Sequence, residues 1–449
     1  MRLSEDDLLE VCSFAVKKAV ERGADEAEAY GISSVETEAS LERNDVTLGK
    51  FHQASGIGIR ILKNTALGFS SINTLSREEV AASVEAAIKI ASKGSPDKYN
   101  TLPKPSSIQK VSGILDPEAE NFRPEDALRN AVNMLQTARG YDERVTVDSG
   151  VFNTSLTSHT VVNSNGVECG ESTSNFTWFI MGMAVDGGEV SSFDFQFDGT
   201  HHVKKIDVVE TARSFAENVV GSLGSKRCDA FKGTLILSPQ AAVELIVPTL
   251  VSSVNSNNVQ KGRSRFIGRL GEEVASRDLT VVDDASWSEG LAASSFDREG
   301  VPHSPLPIIE NGVLRSFLYN TYTAGRDGVD STGHAAGDEE SSPRVGVTNI
   351  ILRQGSSTFE DMLGEVERGI LATRFSGNVN PISGDFSGVV KGGHLIVGGE
   401  KVHPLKETLI AGNIFELLKN ISGLSRERQK IFHYLLPYIR AEDISVTSG

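Results

Sequence analysis

The sequence has few cysteines and no long apolar run. Its three cysteines, Cys12, Cys169 and Cys228, are odd in number and widely separated. That pattern is typical neither of a disulfide framework nor of the paired spacing of a zinc site. No run of about 18 apolar residues occurs, which excludes a helix that spans a membrane. The first residues, through Asp7, are acidic where a secretion signal would be basic and then apolar. We therefore expect a soluble protein of the reducing cytoplasm.

Positive charge is also scarce. The chain has 44 Lys and Arg against 60 Asp and Glu, which gives a formal net charge of −16 and a pI near 5.1. A nucleic-acid groove needs clustered Lys and Arg to displace counterions, and no dense basic run is present. We therefore expect no direct contact with nucleic acid.

The order of helical and strand-like segments predicts an α+β fold in several parts. A chain of 449 residues is too long for one ordinary hydrophobic core. We predict an N-terminal α+β domain over 1–95, a linker rich in Pro, Ser and Lys over 96–117, and a middle β-rich domain with flanking helices over 118–225. A strand-rich C-terminal domain follows over 226–449. Strands that occur in runs favour an α+β fold over a doubly wound sheet.

Local signals predict individual elements. Ser4 is placed to cap a helix that ends at Gly23. The segment Lys63–Thr65 is typical of a hairpin turn between two strands. Short helices are predicted over 359–370 and 411–420.

Motifs for known chemistry are absent. No His is followed by Glu, and no Gly-x-Ser-x-Gly segment occurs. Gly56-Ile57-Gly58 begins a dinucleotide-binding fingerprint, but the third glycine is missing, so we predict a strand with close backbone packing. His201 and His202 are adjacent and would face opposite sides of a strand, so we expect a surface strand end there and no metal site.

Two Gly-rich segments, 330–337 and 384–394, are candidates for loops that approach a ligand closely. Each contains a residue with a polar side chain among small residues, although ordinary tight turns have the same composition. The acidic run 338–340 beside the first of them is typical of a solvated loop. The candidate residues for a substrate cleft are Gly333, His334, Gly384 and Asp385.

A collinear series of segments carries a more specific signal than any of these motifs. The series consists of Lys261–Ser264, Leu279–Asp284, Phe296–Val301, Ile309–Leu314, Ser331–Ala335, Ile382–Ser387 and Glu407–Asn413. It resembles the TldD/PmbA family, also known as peptidase family U62 or "modulator of DNA gyrase". The N-terminal segments Gly23–Glu28 and Gly56–Arg60 are similar to the first domain of that family.

The resemblance implies a cytoplasmic metalloprotease system in which TldD-type subunits bind zinc through a His-Glu-x-x-x-His helix. In this chain the corresponding positions are Val247, Pro248 and Ser252, and the family's third ligand, a cysteine, has no counterpart after Cys228. This departure is typical of the PmbA/TldE branch. The resemblance therefore implies no catalytic residue and no zinc in this chain, with zinc in a TldD-like partner.

The function implied is that of a non-catalytic subunit of a TldD/TldE-type complex that binds and positions unfolded peptides for proteolysis. The partner would be a TldD-like zinc-bearing chain, or a second copy in a homodimer. Two alternatives stay open. One is a stand-alone homodimeric protein that binds peptides or another ligand without cleaving them. The other is a hydrolase with a non-standard site, for instance around His334 and Asp385.

Overall fold

The computed structural model describes residues 2–448. Within them the helices are α1 Glu5–Glu21, α2 Arg77–Ala91, α3 Pro124–Tyr141, α4 Val208–Gly221, α5 Pro239–Leu245, α6 Val247–Val254, α7 Ser256–Gln260, α8 Thr321–Asp327, α9 Phe359–Gly364 and α10 Ile414–Lys419. None of the helices in this part of the chain is long and apolar enough to cross a membrane.

The strands are β1 Glu26–Glu42, β2 Asp45–Lys63, β3 Ala66–Ile72, β4 Val145–Asn163, β5 Glu168–Asp186, β6 Glu189–Val190, β7 Asp194–Thr200, β8 Phe231–Leu237, β9 Val281–Asp283, β10 Leu306–Glu310, β11 Val313–Leu314, β12 Ala335–Ala336, β13 Arg344–Val345, β14 Ile350–Leu352, β15 Arg368–Ala372, β16 Arg374–Val379, β17 Asp385–Lys391, β18 His394–Val397, β19 Glu400–Pro404, β20 Thr408–Asn413, β21 Ile421–Ile431 and β22 Tyr434–Ser448.

Local signals at the N-terminus are confirmed. The Ser4 side chain accepts a hydrogen bond from the Asp7 amide, and the Asp7 carboxylate accepts one from the Ser4 amide, so α1 begins with a capping box. In the turn between β2 and β3, Asn64 and Thr65 both have positive φ angles, of 49° and 60°. Two successive positive φ angles define the turn type that matches the twist of a two-residue hairpin.

The first sheet has seven strands, which come from residues 26–72 and from residues 145–200. Its order is β3-β2-β1-β4-β5, and β6 and β7 each pair with β5. Strand β1 pairs with β4 in antiparallel register from Glu28 to Glu42. Residues 26–72 and 145–200 are therefore joined through one sheet. On one face of it, α1 and α2 pack over one apolar cluster, and α3 and α4 pack over another.

Residues 96–116 form no helix or strand but pack along the rest of the molecule. Leu102 and Ile114 are almost completely buried. The Val111 amide donates to the Ser295 hydroxyl at 2.9 Å, and the Tyr322 hydroxyl donates to the Asp97 carboxylate at 2.8 Å. This segment therefore contacts the C-terminal part of the chain directly.

The second sheet, of thirteen strands, forms the C-terminal part and makes the fold α+β, as predicted. Its long strand β22 pairs in parallel with β14 and antiparallel with β8, β20 and β21. Strand β15 runs parallel to β8. The largest apolar cluster of the protein packs between this sheet and helices α5, α6 and α10.

Two predicted C-terminal helices are shorter than their sequence patterns indicated. The helix predicted over 359–370 ends at Gly364, and Arg368–Ala372 forms β15 instead. Ile370 of β15 is fully buried and pairs with β8, so tertiary pairing decides its conformation. In the region 411–420, β20 continues to Asn413, whose side chain caps α10.

The prediction of a surface strand end at His201 and His202 is wrong for His201. Strand β7 does end at Thr200, but the His201 side chain is buried against the C-terminal part. Its Nδ1 lies 2.8 Å from the Ser174 carbonyl oxygen and its Nε2 lies 3.1 Å from that of Gly290. The strand end is covered by another part of the chain, which local sequence does not reveal.

Candidate functional site

Val247, Pro248 and Ser252, the positions at which the resemblance implies a lost zinc motif, lie on helix α6. Val247 is buried in the C-terminal core, and Pro248 is exposed in the first turn of α6. The Ser252 hydroxyl accepts a hydrogen bond from Asn258 Nδ2 at 3.2 Å. None of the three offers an imidazole or a carboxylate. Among residues 2–448 no group of three or more His, Cys, Asp or Glu is arranged to hold a metal ion.

Gly333 and His334 lie in a tightly packed turn that precedes β12. Gly333 has a φ of +71°, and a Cβ atom there would lie 2.7 Å from the Pro302 carbonyl oxygen. Nδ1 of His334 is 2.8 Å from the Thr332 carbonyl oxygen. Its Nε2 has no hydrogen-bond partner and lies 3.4 Å from Asp283 Oδ1. The glycine is therefore required by packing, and the imidazole is buried beside a carboxylate.

A cavity of about 140 Å³ lies next to this turn, between the first sheet and the C-terminal part. Burial lowers the pKa of His159 and of His303 to about 4, so both imidazoles are neutral at pH 7. The ring centroids of His303 and His334 are 6.2 Å apart. The side chains that line the cavity include those of Tyr30, His159, Phe296, Asp297, Arg298, His303, His334, Val347 and Thr348.

Buried charges join the two parts of the chain beside this cavity. Arg60 on β2 donates to Glu28 at 2.5 Å and to Glu299 at 2.7 Å. Arg298 donates to the second oxygen of Glu28 at 3.1 Å. The Arg298 guanidinium also lies 3.8 Å from the centre of the Tyr30 ring. This network connects the first sheet to the loop 296–300, and sequence reasoning assigned no role to any of its members.

Asp297 connects two of the segments that carry the family resemblance. One carboxylate oxygen accepts the amides of Glu299 and Val301, at 2.8 and 3.0 Å, and the other accepts the amide of Ala335 at 2.9 Å. Burial and the nearby Glu299 raise the pKa of Asp297 to about 7. The segments 296–301 and 331–335 are therefore held together by one carboxyl group, and a structural role accounts for it.

Gly384 and Asp385 lie at the beginning of β17. Gly384 has a φ of +82°, and a Cβ atom there would lie 2.5 Å from the Phe415 ring. Asp385 is exposed and accepts a hydrogen bond from Asn413 Nδ2 at 2.8 Å, which lowers its pKa. In the described chain no hydrogen bond or ion pair connects Asp385 to His334. The two candidate loops therefore do not form one dyad.

Both loops are connected to the last turn of α6, from different sides. On one side the Ser264 hydroxyl donates to the Ser253 carbonyl at 2.6 Å, and the ring of Phe266 lies 5.6 Å from that of Phe415, which packs against Gly384. On the other side Asn255 Nδ2 donates to the Val345 carbonyl, in the strand paired with β12. Helix α6 is thus connected to both candidate loops.

A larger cavity, of about 520 Å³, lies between the β5–β6 hairpin and strands β17 and β20. Its apolar wall is formed by Met183, Val190, Phe193, Val389 and Leu409, and its polar side chains include Lys391, Lys406 and Glu407. An open cavity of mixed character near a sheet is a common setting for ligand binding.

Strand β16 has one unpaired edge. It pairs with β17 only, among the strands that the structure describes. The Phe375 amide points away from β17 and donates to the Glu244 carboxylate at 2.6 Å. Because amides alternate in direction along a strand, those of Gly377 and Val379 also point away from β17. This edge can accept a further extended chain.

Family models match three consecutive parts of the chain. Residues 27–91 match PmbA/TldA metallopeptidase domain 1, residues 117–223 match the central domain, and residues 231–448 match the C-terminal domain.

Individual relatives match over nearly the full length. A protein of Methanocaldococcus jannaschii is 28% identical over 414 residues, which cover 92% of this chain and 94% of that protein. Metalloprotease PmbA of Escherichia coli O157:H7 is 26% identical over 91% of this chain and 89% of its own. The crystal structure of TldE from Thermococcus kodakarensis has a TM-score of 0.91 and 26% identity, and covers 98% of this chain and 100% of its own. The chain belongs to the TldD/PmbA family.

Proposed function

We propose that this chain is a zinc-free subunit of a cytoplasmic TldD/PmbA-type peptidase, in which it holds unfolded peptides for cleavage by a zinc-bearing partner of the same family. Relatives named metalloprotease support the peptidase class, and the likeness to TldE supports the choice of branch. The observation that carries the proposal is that α6 presents Val247, Pro248 and Ser252 at the positions where the resemblance places the zinc motif.

The burial and chemistry of these residues support a structural role for α6. Val247 is 3% exposed and belongs to the core, where an imidazole would replace apolar packing. Pro248 has no side-chain group that could act as a general base. This chain's own residues therefore supply neither ligands nor a base at this position.

The peptide-holding role rests on the unpaired edge of β16. An extended peptide that pairs with the free edge of β16 would receive backbone hydrogen bonds from Gly377 and Val379, whatever its side chains. Recognition through the backbone suits unfolded substrates of varied sequence.

Reconstitution tests the proposal. The full-length chain, a TldD-type chain with an intact zinc motif, and their mixture are assayed on an unstructured fluorogenic peptide. Activity should appear in the mixture and not with this chain alone. A variant partner with its motif glutamate replaced by glutamine is the control, and should abolish activity. Full activity of the partner by itself would overturn the subunit role.

Metal content provides a separate measurement. The purified chain, analysed by inductively coupled plasma mass spectrometry, should carry far less than one equivalent of zinc. Stoichiometric zinc that survives dialysis against a weak chelator would contradict the zinc-free assignment even if the mixture were active.

A further inference from the structure

The cavity of about 520 Å³ lies where the two parts of the chain meet, and its walls come from both. One wall is the β5–β6 hairpin, which belongs to the first sheet, and the other is the face of the second sheet formed by β17 and β20. Val389 on β17 pairs with Leu409 on β20, so their side chains stand side by side on that face. The volume is within the range of pockets that bind small molecules.

The apolar lining of this cavity is partly uncovered. Val190 on the hairpin lines it and is 50% exposed. Met183 and Phe193 line the same side, and Val389 and Leu409 line the other. An apolar chain placed between these two surfaces would remove both of them from water.

Two lysines also line the cavity, and neither has an ionic partner in the described part of the chain. Lys391 and Lys406 make no ion pair and no side-chain hydrogen bond there. Lys391 follows Val389 by two residues on β17, so both side chains lie on the same face of the sheet. In a chain with a net charge of −16, two unpaired cations beside an apolar surface are a local exception.

Among the described lining residues, Glu407 alone carries a carboxylate, and it is engaged elsewhere. Its side chain forms an ion pair with Arg227. Its backbone φ is 48°, a left-handed conformation that residues other than Gly, Asn and Asp seldom adopt and that is often found at functional sites. The two lysines are therefore left without a counter-charge from the cavity lining.

The donors of this cavity suit a carboxylate better than a phosphate. Phosphate groups are typically held by arginine side chains or by helix N-termini. The described residues that line the cavity include no arginine and no residue of a helix. Ammonium groups can hold a carboxylate, and the hydroxyls of Ser192 and Ser225 in the same lining are further donors.

We propose that this cavity binds an amphipathic carboxylate, with its apolar chain between the hairpin and the sheet and its charged end beside Lys391 and Lys406. A free fatty acid has this chemistry, and so does the C-terminus of a peptide that ends in a large apolar residue. The site goes beyond the proposed function and does not depend on it, because it lies within one chain and requires no zinc-bearing partner.

Calorimetry with the full-length chain alone tests the ligand class. Dodecanoate, kept below its micelle concentration, should bind, and dodecylamine, which has the same chain but a positive charge, should bind at least roughly tenfold more weakly. Equal binding of the two would overturn the proposal, because apolar burial alone would then explain it.

A peptide arm distinguishes the two sources of the carboxylate. An acetylated tripeptide that ends in leucine is titrated as the free acid and as the C-terminal amide. Binding of dodecanoate without the tripeptide identifies a fatty-acid site. Binding of the free acid, with the amide at least roughly tenfold weaker, identifies a site for peptide C-termini. If neither dodecanoate nor the free acid binds, the proposal is wrong.

Variants test whether the ligand occupies this cavity. Lys406→Glu, at an exposed side chain, should raise the dissociation constant for the carboxylate that binds roughly fivefold, because a repulsion replaces an attraction. Lys261→Glu, also exposed but outside the cavity, is the matched control for charge. Val389→Trp should raise the constant at least roughly tenfold, because the indole fills the cavity. Val397→Trp, at a side chain 47% exposed on β18, is the control for size. Equal effects of the cavity variants and their controls would refute the site.

Discussion

The guanidinium of Arg60 donates to the carboxylate of Glu299 at 2.7 Å, and both side chains are at least nine-tenths buried. This ion pair joins the first sheet to the C-terminal part. We expect Arg60→Met to lower the free energy of unfolding by about 3–5 kcal/mol, because it leaves Glu299 buried without a counter-charge. Urea unfolding followed by circular dichroism measures the change.

An exposed ion pair provides the control for that prediction. Arg277 contacts Glu273 at 2.8 Å, but its side chain is 82% exposed. Arg277→Met should cost no more than about 0.5 kcal/mol, since water screens the pair. Comparable losses in the two variants would show that burial is not what makes the Arg60 pair important.

Gly58 gives a second prediction. A Cβ atom at this position would lie 2.4 Å from the Glu339 carbonyl oxygen, so Gly58→Ala must displace the loop that follows β12. We expect a loss of about 1–3 kcal/mol in the free energy of unfolding. Hydrogen exchange should become faster over residues 337–343. Gly140→Ala, where a Cβ atom meets nothing within 4 Å, is the matched control and should be neutral or stabilising. A Gly58→Ala variant that behaves like the control would contradict the close contact.

His303 gives a pH-dependent prediction. Burial and the neighbouring His334 lower the pKa of His303 from 6.5 to about 4. Between these pH values the unfolded chain binds a proton that the folded chain does not. The stabilising contribution is therefore complete above pH 6.5 and is lost as the pH falls towards 4, by up to about 1.4 kcal/mol per pH unit.

The comparison with His303→Gln isolates this contribution. The variant should lose less stability than the wild type when the pH falls from about 6 to about 4.5, because it lacks the histidine that takes up a proton on unfolding. Asp297 has a raised pKa, so its contribution to stability is lost as the pH rises through about 7. Because Asp297 is present in both proteins, its contribution cancels when the two curves are compared. Thermal unfolding over this pH range measures both curves, and parallel curves would rule the assignment out.

The sequence predicted those parts of the fold that short-range chemistry decides. The capping residue Ser4 and the turn at Asn64 were predicted because one or two residues determine them. The prediction of a helix over 359–370 was wrong for its second half, because Ile370 lies in a strand that pairs with β8. The Arg60–Glu299 pair joins residues 239 positions apart, a distance that no local pattern spans.

The candidate site could be predicted in the same limited sense. The Gly-rich composition around Gly333 and Gly384 indicates tight turns. In the structure both glycines have positive φ angles, and a Cβ atom at either position would clash. The sequence could not predict how the two loops lie relative to each other, and His334 and Asp385 have different neighbours. The run 338–340 was predicted as a solvated loop, yet Glu339 packs against Gly56 and Gly58. The close backbone packing predicted for those glycines is thereby explained.

The proposed peptide edge on β16 gives the last prediction. The Val379 amide points away from β17, so Val379→Pro removes one donor to a paired peptide and none to the neighbouring strand. Loss of one backbone hydrogen bond costs about 1 kcal/mol, so the dissociation constant for an unstructured peptide should rise roughly fivefold. Fluorescence polarisation with a labelled peptide, in the presence of the zinc-bearing partner, measures it.

Val379→Ala separates the backbone effect from packing. The Val379 side chain packs against the C-terminal core, and both variants alter that contact, but only proline removes the amide. The Val379→Ala variant should therefore bind the peptide with nearly wild-type affinity, even if both variants unfold at a lower urea concentration. If alanine weakens peptide binding as much as proline does, the side chain and not the strand edge is responsible, and a peptide paired with β16 is excluded.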